Sequence, residues 1–503
     1  MSQRYTCTWI RHITGKAAGK GRCYHGLSIT RSVQDNLFCA VNPRFIALVT
    51  ECTGGGAFIV ISVHQTGRVS PLHARVCGHS ARVMDVKWDP FNDRRIASCS
   101  EDCTVKVWDI PQNGLKDDVT QPSKDLLAHS RRVAIIEWHP TARDLLLSSA
   151  YDCKVLVWRL DTAAVVIQMP VCVINTHTQL VLSLTFNHDG SLLATTCKDQ
   201  KIRIIEPRTG RVLQESSSTS HKAHKILFLW NLNMLLTTGN SSWNQRQFAL
   251  WDLEDLSEPV LEEDFDGGSG VVFPFYDPDT QLLFLAGKGD GNIRYYEVSA
   301  IKPYMHFLAE YRSQFPQRGL GVMPKRGLNI NICEVFRFYR LVGVRDLVEP
   351  LSFCVPRKQS GVFHEDIYPL TAASEPALTA HEWLMGQNKG PLLVSLRPKS
   401  KEVQTHIIQP PDAGQQNPKC EVIVDERDWT EDDTQSHDWI SARTLSDVDW
   451  TEATFHLPPE PETEVSQRQE EQIQHLQEKL EQKECRIKQL ELKITRHQTR
   501  ASF

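Results

Sequence analysis

Residues able to make a hydrolytic triad recur at fixed spacing in the first third of the chain. His79 is followed by a serine at Ser98 or Ser100, by Asp102 and by Trp108. Fifty residues on, His129 is followed by Ser148 or Ser149, by Asp152 and by Trp158. A serine relayed to an imidazole that a carboxylate orients is an acyl-transfer nucleophile. A nucleophile is needed once, however, whereas a tie written once per repeat holds a fold together. The duplicated set therefore reads as a buried hydrogen-bond chain from loop His and turn Asp through a strand Ser to the Trp. Other chemistry is scarce. The 14 cysteines form no CxxC pair and sit mostly in apolar runs such as IASCSEDC, as reduced core residues do. The glycines of GKGDGN, Gly287–Asn292, precede a strand-like run and read as a hairpin turn, not a phosphate loop. No HExxH, paired Cys/His set or nucleic-acid motif is present. The expectation is a non-enzyme with no cofactor, no metal and no nucleic-acid partner.

The elements that position these residues form a repeat. GHSARVMDVKWDPFNDRRIASCSEDCTVKVWD, from Gly78, aligns with AHSRRVAIIEWHPTARDLLLSSAYDCKVLVWR, from Ala128. Further units end at Ile205, Trp251-Asp252 and Tyr296-Glu297, with a period drifting over 45–50 residues. A GH near the start and a WD at the end are the WD40 signature. Within a unit, VMDVKW, RIASCS and TVKVWD are short β-branched runs separated by turn residues, so each unit is a small antiparallel sheet. Such a sheet is too thin to bury both faces alone, and radial stacking covers them. FCAVNPRFIALVTE with GGGAFIVISV reads as a first blade, and MPKRGLNINICEVFRFYRLV as strands of a last one. Room for seven blades results. A strand around Tyr5–Arg11 is expected to close the ring, and the Trp-containing tie is expected to be lost in the later blades.

Charge is uneven. The net charge is -5. Residues 401–472 hold 18 acidic and 5 basic residues, whereas residues 1–35 carry Arg4, Arg11, Lys16, Lys20, Arg22 and Arg31 against Asp35. That basic sector suits an acidic partner. After Pro398 the chain turns polar and Pro/Gln-rich, as a disordered linker does. Three Asp-Trp pairs, at Trp429, Trp439 and Trp450, are candidate anchors for an unidentified docking partner. From residue 466 a helical pattern places Ile473, Leu480, Ile487 and Ile494 at heptad position a, with Leu476, Lys483, Leu490 and His497 at d, half of them polar. This predicts a short parallel coiled coil. Ile at a with Leu at d favours a dimer. Arg486, Ile487, Leu490 and Glu491 instead match an Arg-to-Glu pattern of short trimers, in which the Arg stem covers the seam and its head meets a neighbouring Glu. No apolar run is long enough to cross a membrane, and the N-terminus has no secretory apolar core.

The chain resembles the coronins, most of all the short class II coronins. FCAVNPRFIALVTECTGGGAF, WHPTA at Trp138–Ala142, IASCSEDCTVKVW, GKGDGNIRYYEV, MPKRGL and HEDIYPLTAASEPALTAHEWL carry the likeness over residues 1–398. The resemblance implies an all-β seven-bladed propeller over 1–345 and a C-terminal extension over 346–398 packed on its underside. It further implies a variable linker over 399–465, a coiled coil over 466–503 that is a homotrimer in coronins of this build, and binding to filamentous actin in the cytoplasm. Where class I coronins carry a basic residue implicated in actin contact, this chain has Ser28, with Arg31 nearby. Arg11, Lys16, Lys20 and Arg31 are the remaining candidates for an electrostatic contact. The alternative is a propeller scaffold in a chromatin or vesicle-coat complex without direct actin binding.

Overall fold

The computed structural model describes residues 10, 12–51, 56–216, 221–357 and 362–398. Arg11, the tryptophans Trp429, Trp439 and Trp450, the linker and all the coiled-coil positions from Ile473 to Ile494 lie outside the described residues.

The described residues fold into seven antiparallel blades. Blade 1 comprises Cys39–Val41, Phe45–Val49, Ala57–Ser62 and Arg75–Cys77. Blade 2 is Val83–Asp89, Asn92–Ser100, Val105–Asp109 and Lys124–Leu126; blade 3 is Val133–Trp138, Leu145–Ala150, Val155–Arg159 and Cys172–Ile174. Blade 4 is Val181–Phe186, Leu193–Cys197, Ile202–Glu206 and Arg211–Glu215; blade 5 is His221–Leu229, Met234–Ser241, Arg246–Asp252 and Leu261–Asp266. Blade 6 is Val272–Asp277, Leu282–Gly287, Ile293–Val298 and Met305–Tyr311. Second strands such as Phe45–Val49 and Leu145–Ala150 are buried along their whole length, because neighbouring blades cover both faces. Residues 287–292 do form the hairpin turn between two strands of blade 6.

Blade 7 closes the ring and departs from expectation in two ways. Its strands are Gly319–Val322, Glu334–Val342 and Leu347–Cys354, so the propeller runs past residue 345 to Cys354. Its outer strand comes from the N-terminal region, but as Thr14–Ala17 and Tyr24–His25, both antiparallel to Leu347–Cys354. The closing strand thus lies beyond Tyr5–Arg11, of which only Ile10 is among the described residues. MPKRGL is no strand either. Lys325–Gly327 forms a 3-10 turn whose side chains clamp the ring: Lys325 donates to Asp277 of blade 6 at 2.5 Å, and Arg326 donates twice to Asp93 of blade 2 at 2.5 and 2.7 Å. Phe284 of blade 6 packs on Phe336 and Phe353 of blade 7 with ring centroids 4.5 and 4.8 Å apart.

The His–Ser–Trp sets sit inside the blades. In blade 2, Trp108 Nε1 donates to Ser98 Oγ (2.9 Å), which lies 2.8 Å from His79 Nε2, while His79 Nδ1 lies 2.9 Å from Asp102. Blade 3 repeats this with Trp158, Ser148, His129 and Asp152 at 2.8, 2.8 and 2.9 Å. The serines are Ser98 and Ser148, both fully buried, so neither hydroxyl can reach a substrate. Burial alone would raise the Asp102 carboxyl, but hydrogen bonds from His79 and Thr104 outweigh it and hold the group well below the usual carboxylate range. The expected loss in later blades holds for Ile205 and Tyr296 but fails in blade 5. There Trp251 donates to Thr237 Oγ1 at 2.8 Å, and Thr237 lies 2.9 Å from His221 Nε2, with Gln247 on the other ring nitrogen. The cysteine reading also needs correction at Cys103 and Cys153, which occupy left-handed turn positions (φ 70° and 64°) after the two aspartates and are half-buried.

Residues 362–398 lie against the propeller at the end opposite these turns. The Thr379-capped helix Ala380–Leu384 places Trp383, fully buried, in T-shaped contact with His139 at 4.9 Å. Trp383 Nε1 and His139 Nε2 both reach Gly190 O at 3.2 Å. Leu378 and Ala377 bond the backbone of Thr141. Two segments of the chain nearly 240 residues apart, WHPTA and LTAHEWL, therefore meet.

Candidate interaction surface

A strap joins the outer strand of blade 7 to blade 1 and crosses one mouth of the central channel. It is anchored first at the rim. Ile29 bridges Thr50, Arg31 N donates to Glu51 Oε2 at 2.8 Å, and Glu51 N donates to Ser28 O at 3.0 Å. Backbone N–H groups then donate to side-chain hydroxyls, Ser32 N to Thr30 Oγ1 and Gln34 N to Ser32 Oγ, and turn the chain inward. Asn36 Nδ2 donates to Met84 O of blade 2 (2.7 Å) and Ala134 O of blade 3 (2.9 Å). Tyr151 of blade 3 donates to Gln34 at 3.1 Å, Lys225 of blade 5 to Asp35 O at 2.7 Å, and Lys288 of blade 6 to Val33 O at 2.8 Å. The strap is thus tied to four blades besides its own, and its exposed residues are held in place.

Beneath it lies a channel cavity of about 220 Å³ lined by Asp35, Asn36, Asp85, Lys87, Glu137 and Lys225 among others. Lys87 pairs with Glu137, Asp85 accepts the Val86 N–H, and Lys225 donates to the Asp35 and Leu182 carbonyls. Burial pushes the Asp85 carboxyl up to about 6 and the Lys225 ammonium down to about 8. Among the described residues no group of three or more His, Cys, Asp or Glu is placed to hold a metal ion.

The candidate cations among the described residues lie along the segment that runs from the outer edge of blade 7 into the strap. Lys16 is exposed on the outer strand of blade 7, Lys20 is exposed on the 3-10 turn Lys20–Arg22 that bulges from the same edge, and Arg31 is exposed on the strap. None of the three makes an ion pair among the described residues. Ser28 is exposed on the strap too. Reading the sequence missed Arg68. Gly67–Arg68 adds to Tyr24–His25 as a parallel two-residue strand, which sets an exposed Arg68 opposite His25, itself 3.2 Å from Lys20 O. Parallel pairing of two-residue segments leaves no pattern in a sequence.

This arrangement has relatives. Coronin-2A of Mus musculus is 54% identical over 512 residues, spanning 98% of this chain and 97% of the relative. The chain is a coronin. Coronin-2B of Homo sapiens is 51% identical over 494 residues, spanning 98% of this chain and 96% of the relative, which places this coronin with the class II kind. The solved WD40 domain of a Toxoplasma gondii coronin superposes with a TM-score of 0.72 at 27% identity, covering 78% of this chain and 99% of that one. A WD domain, G-beta repeat family matches residues 70–109 and another type of WD40 repeat matches 348–391. The WD40 domain of anaphase-promoting complex subunit 4 matches 136–233, and a domain of unknown function matches 9–68, the stretch that holds the closing strand, the basic edge and the strap. Among the described residues of this coronin no helix is long and apolar enough to cross a membrane.

Proposed function

We propose that this coronin is a non-enzymatic scaffold of the cytoplasmic actin cytoskeleton that binds actin filaments through the basic sector of blade 7 and the strap. The observation that carries the reading is the exposure of Lys16, Lys20 and Arg31 without carboxylate partners, joined by Arg68, on a chain of coronin sequence. Surface cations of this kind attract an acidic filament over a Debye length and give an affinity that falls as salt rises. Ser28 in place of a cation makes the contact weak, so assembly matters. Residues 466–503 join three chains in parallel, and multivalency raises the affinity of the whole; Trp429, Trp439 and Trp450 serve an additional protein partner.

Co-sedimentation with filaments tests the contact. Reversing Arg11, Lys16 and Arg31 to Glu together abolishes sedimentation at near-physiological salt while leaving the thermal melt unchanged. Undiminished binding by that variant moves the contact elsewhere on the ring. A wild-type chain that stays in the supernatant favours the chromatin or coat scaffold instead.

A further inference from the structure

We propose that the groove between the strap and the ends of blades 6 and 7 is a docking site for an acidic peptide segment of a partner protein that carries one large apolar anchor residue. The groove has a volume of about 440 Å³ and is lined by Val33 and Asp35 of the strap, Lys288 of blade 6, and Gln317, Arg318 and Val344 of blade 7. That size lies within the ~300–1,000 Å³ of ligand sites. Two large apolar side chains stand on it uncovered, Val33 at 86% exposure and Val344 at 69%. Neither waves freely: Lys288 holds the Val33 carbonyl at 2.8 Å, and Val344 lies in the 3-10 turn Gly343–Arg345. An apolar side chain inserted here covers both.

Charge selects the partner. Asp35 sits 3.3 Å from Lys288, so these two compensate each other. Arg318 has no carboxylate partner among the described residues, and Gly343 makes room for its guanidinium, since a Cβ there would come within 3.0 Å of Nε. Arg345, exposed on the same turn next to Val344, holds its guanidinium 3.5 Å from the ring centre of Phe315, whose neighbour Pro316 lines the groove. Two positioned guanidinium groups favour carboxylates, which they bind in paired hydrogen bonds. At Gly289, where φ is 84°, a Cβ would meet nothing within 4 Å, so a peptide backbone can approach that side. Neither Lys16 nor Lys20 lines the groove, and the inference stands apart from the filament contact.

Fluorescence anisotropy with the full chain tests it. The probe is a labelled decapeptide of alternating Asp and Ser around one central Trp. Saturable binding is expected, weakened about tenfold or more by Arg318→Glu, by Val344→Asp, by Asn for Asp in the probe, and by Ala for its Trp, with Lys16→Glu leaving it unchanged. Val344→Asp alters an exposed turn residue and keeps the test open if Arg318→Glu fails to fold, as a thermal melt would show. Absence of saturable binding, equal binding of the Asn probe, or indifference to both protein variants overturns the proposal.

Discussion

Two buried histidines and two buried carboxylates are tuned by burial more than by partners. His139 is pushed down to about 3 and His177 to about 4, in each case chiefly because burial disfavours the imidazolium. The unfolded chain takes up these protons near pH 6.5, while the folded chain does not until its depressed values. Each histidine therefore withdraws stability as pH falls below about 6.5, by roughly 2 kcal/mol at pH 5. Asp85 and Asp89, both raised to about 6 by burial, act with the opposite sign, since the folded state holds their protons more tightly between about 4 and 6. The overall slope is thus a partial cancellation, and the informative measurement is a difference. In urea melts between pH 7 and 5, His177→Gln should lose stability less steeply than wild type, by about one proton's worth. Parallel slopes would show that His177 is not a neutral buried imidazole. Ser98 and Ser148 illustrate what a sequence carries at this scale. Residue types and spacing identified the tie; strand alternation chooses Ser148 over Ser149, but Ser98 and Ser100 share a face, and only their height along the strand puts Ser98 at the His79 ring and Ser100 at Ala81 O.

At the scale of elements, the later blades carry ionic ties, which in blade 5 stand beside the Trp251–Thr237–His221 tie. Arg246 of blade 5 donates to Asp266 of its own blade and at 2.6 Å to Asp290 of blade 6, and Arg294 of blade 6 returns to Asp266 at 2.6 Å. Burial opposes ionisation of Asp266, but the two guanidinium groups hold its carboxyl at about 2. Arg340, fully buried in blade 7, meets Glu349 at 2.7 Å and Phe315 O at 2.8 Å. These pairs were invisible in the repeat alignment because their partners lie on different strands or blades at irregular separations. The helix Ala380–Leu384 is the other case. One turn and a half of helix has no stability of its own; its capping box sets its start and Trp383 fixes it to His139 and to Arg208, whose guanidinium stacks 4.4 Å from the ring. Trp383→Ala should cost about 3–5 kcal/mol and open residues 362–398 to limited proteolysis while leaving the blades resistant. Unchanged digestion would mean that other contacts anchor the extension.

For the whole molecule, the prediction concerns assembly. A propeller that contacts filaments through a few surface cations binds weakly by itself, and linking copies raises apparent affinity by ~10²–10⁴ without a new contact. Deleting 466–503 should therefore yield a monomer that sediments with filaments far less and no longer bundles them. Sedimentation equilibrium of a 466–503 peptide reads the number of chains directly. A dimer would give precedence to Ile at a and Leu at d over the Arg486-to-Glu491 pattern, and a monomer would remove multivalency as an explanation.

Local order was written into the chain: the 45–50-residue repeat, the β-branched runs, the turn residues and the His–Ser–Trp ties of blades 2 and 3 all follow from side-chain period and spacing, which are properties of neighbours in sequence. So was kinship, through segments long enough to be specific. Tertiary structure alone decided what joins distant segments: that Thr14–Ala17 and Tyr24–His25 close the ring, that blade 7 extends to Cys354, that Lys325 and Arg326 clamp blades 6 and 2, and that Ser32–Asn36 is tied across the channel. Such contacts depend on how seven sheets meet around one axis. Their geometry is settled by packing the faces together, so no periodicity in the sequence announces them.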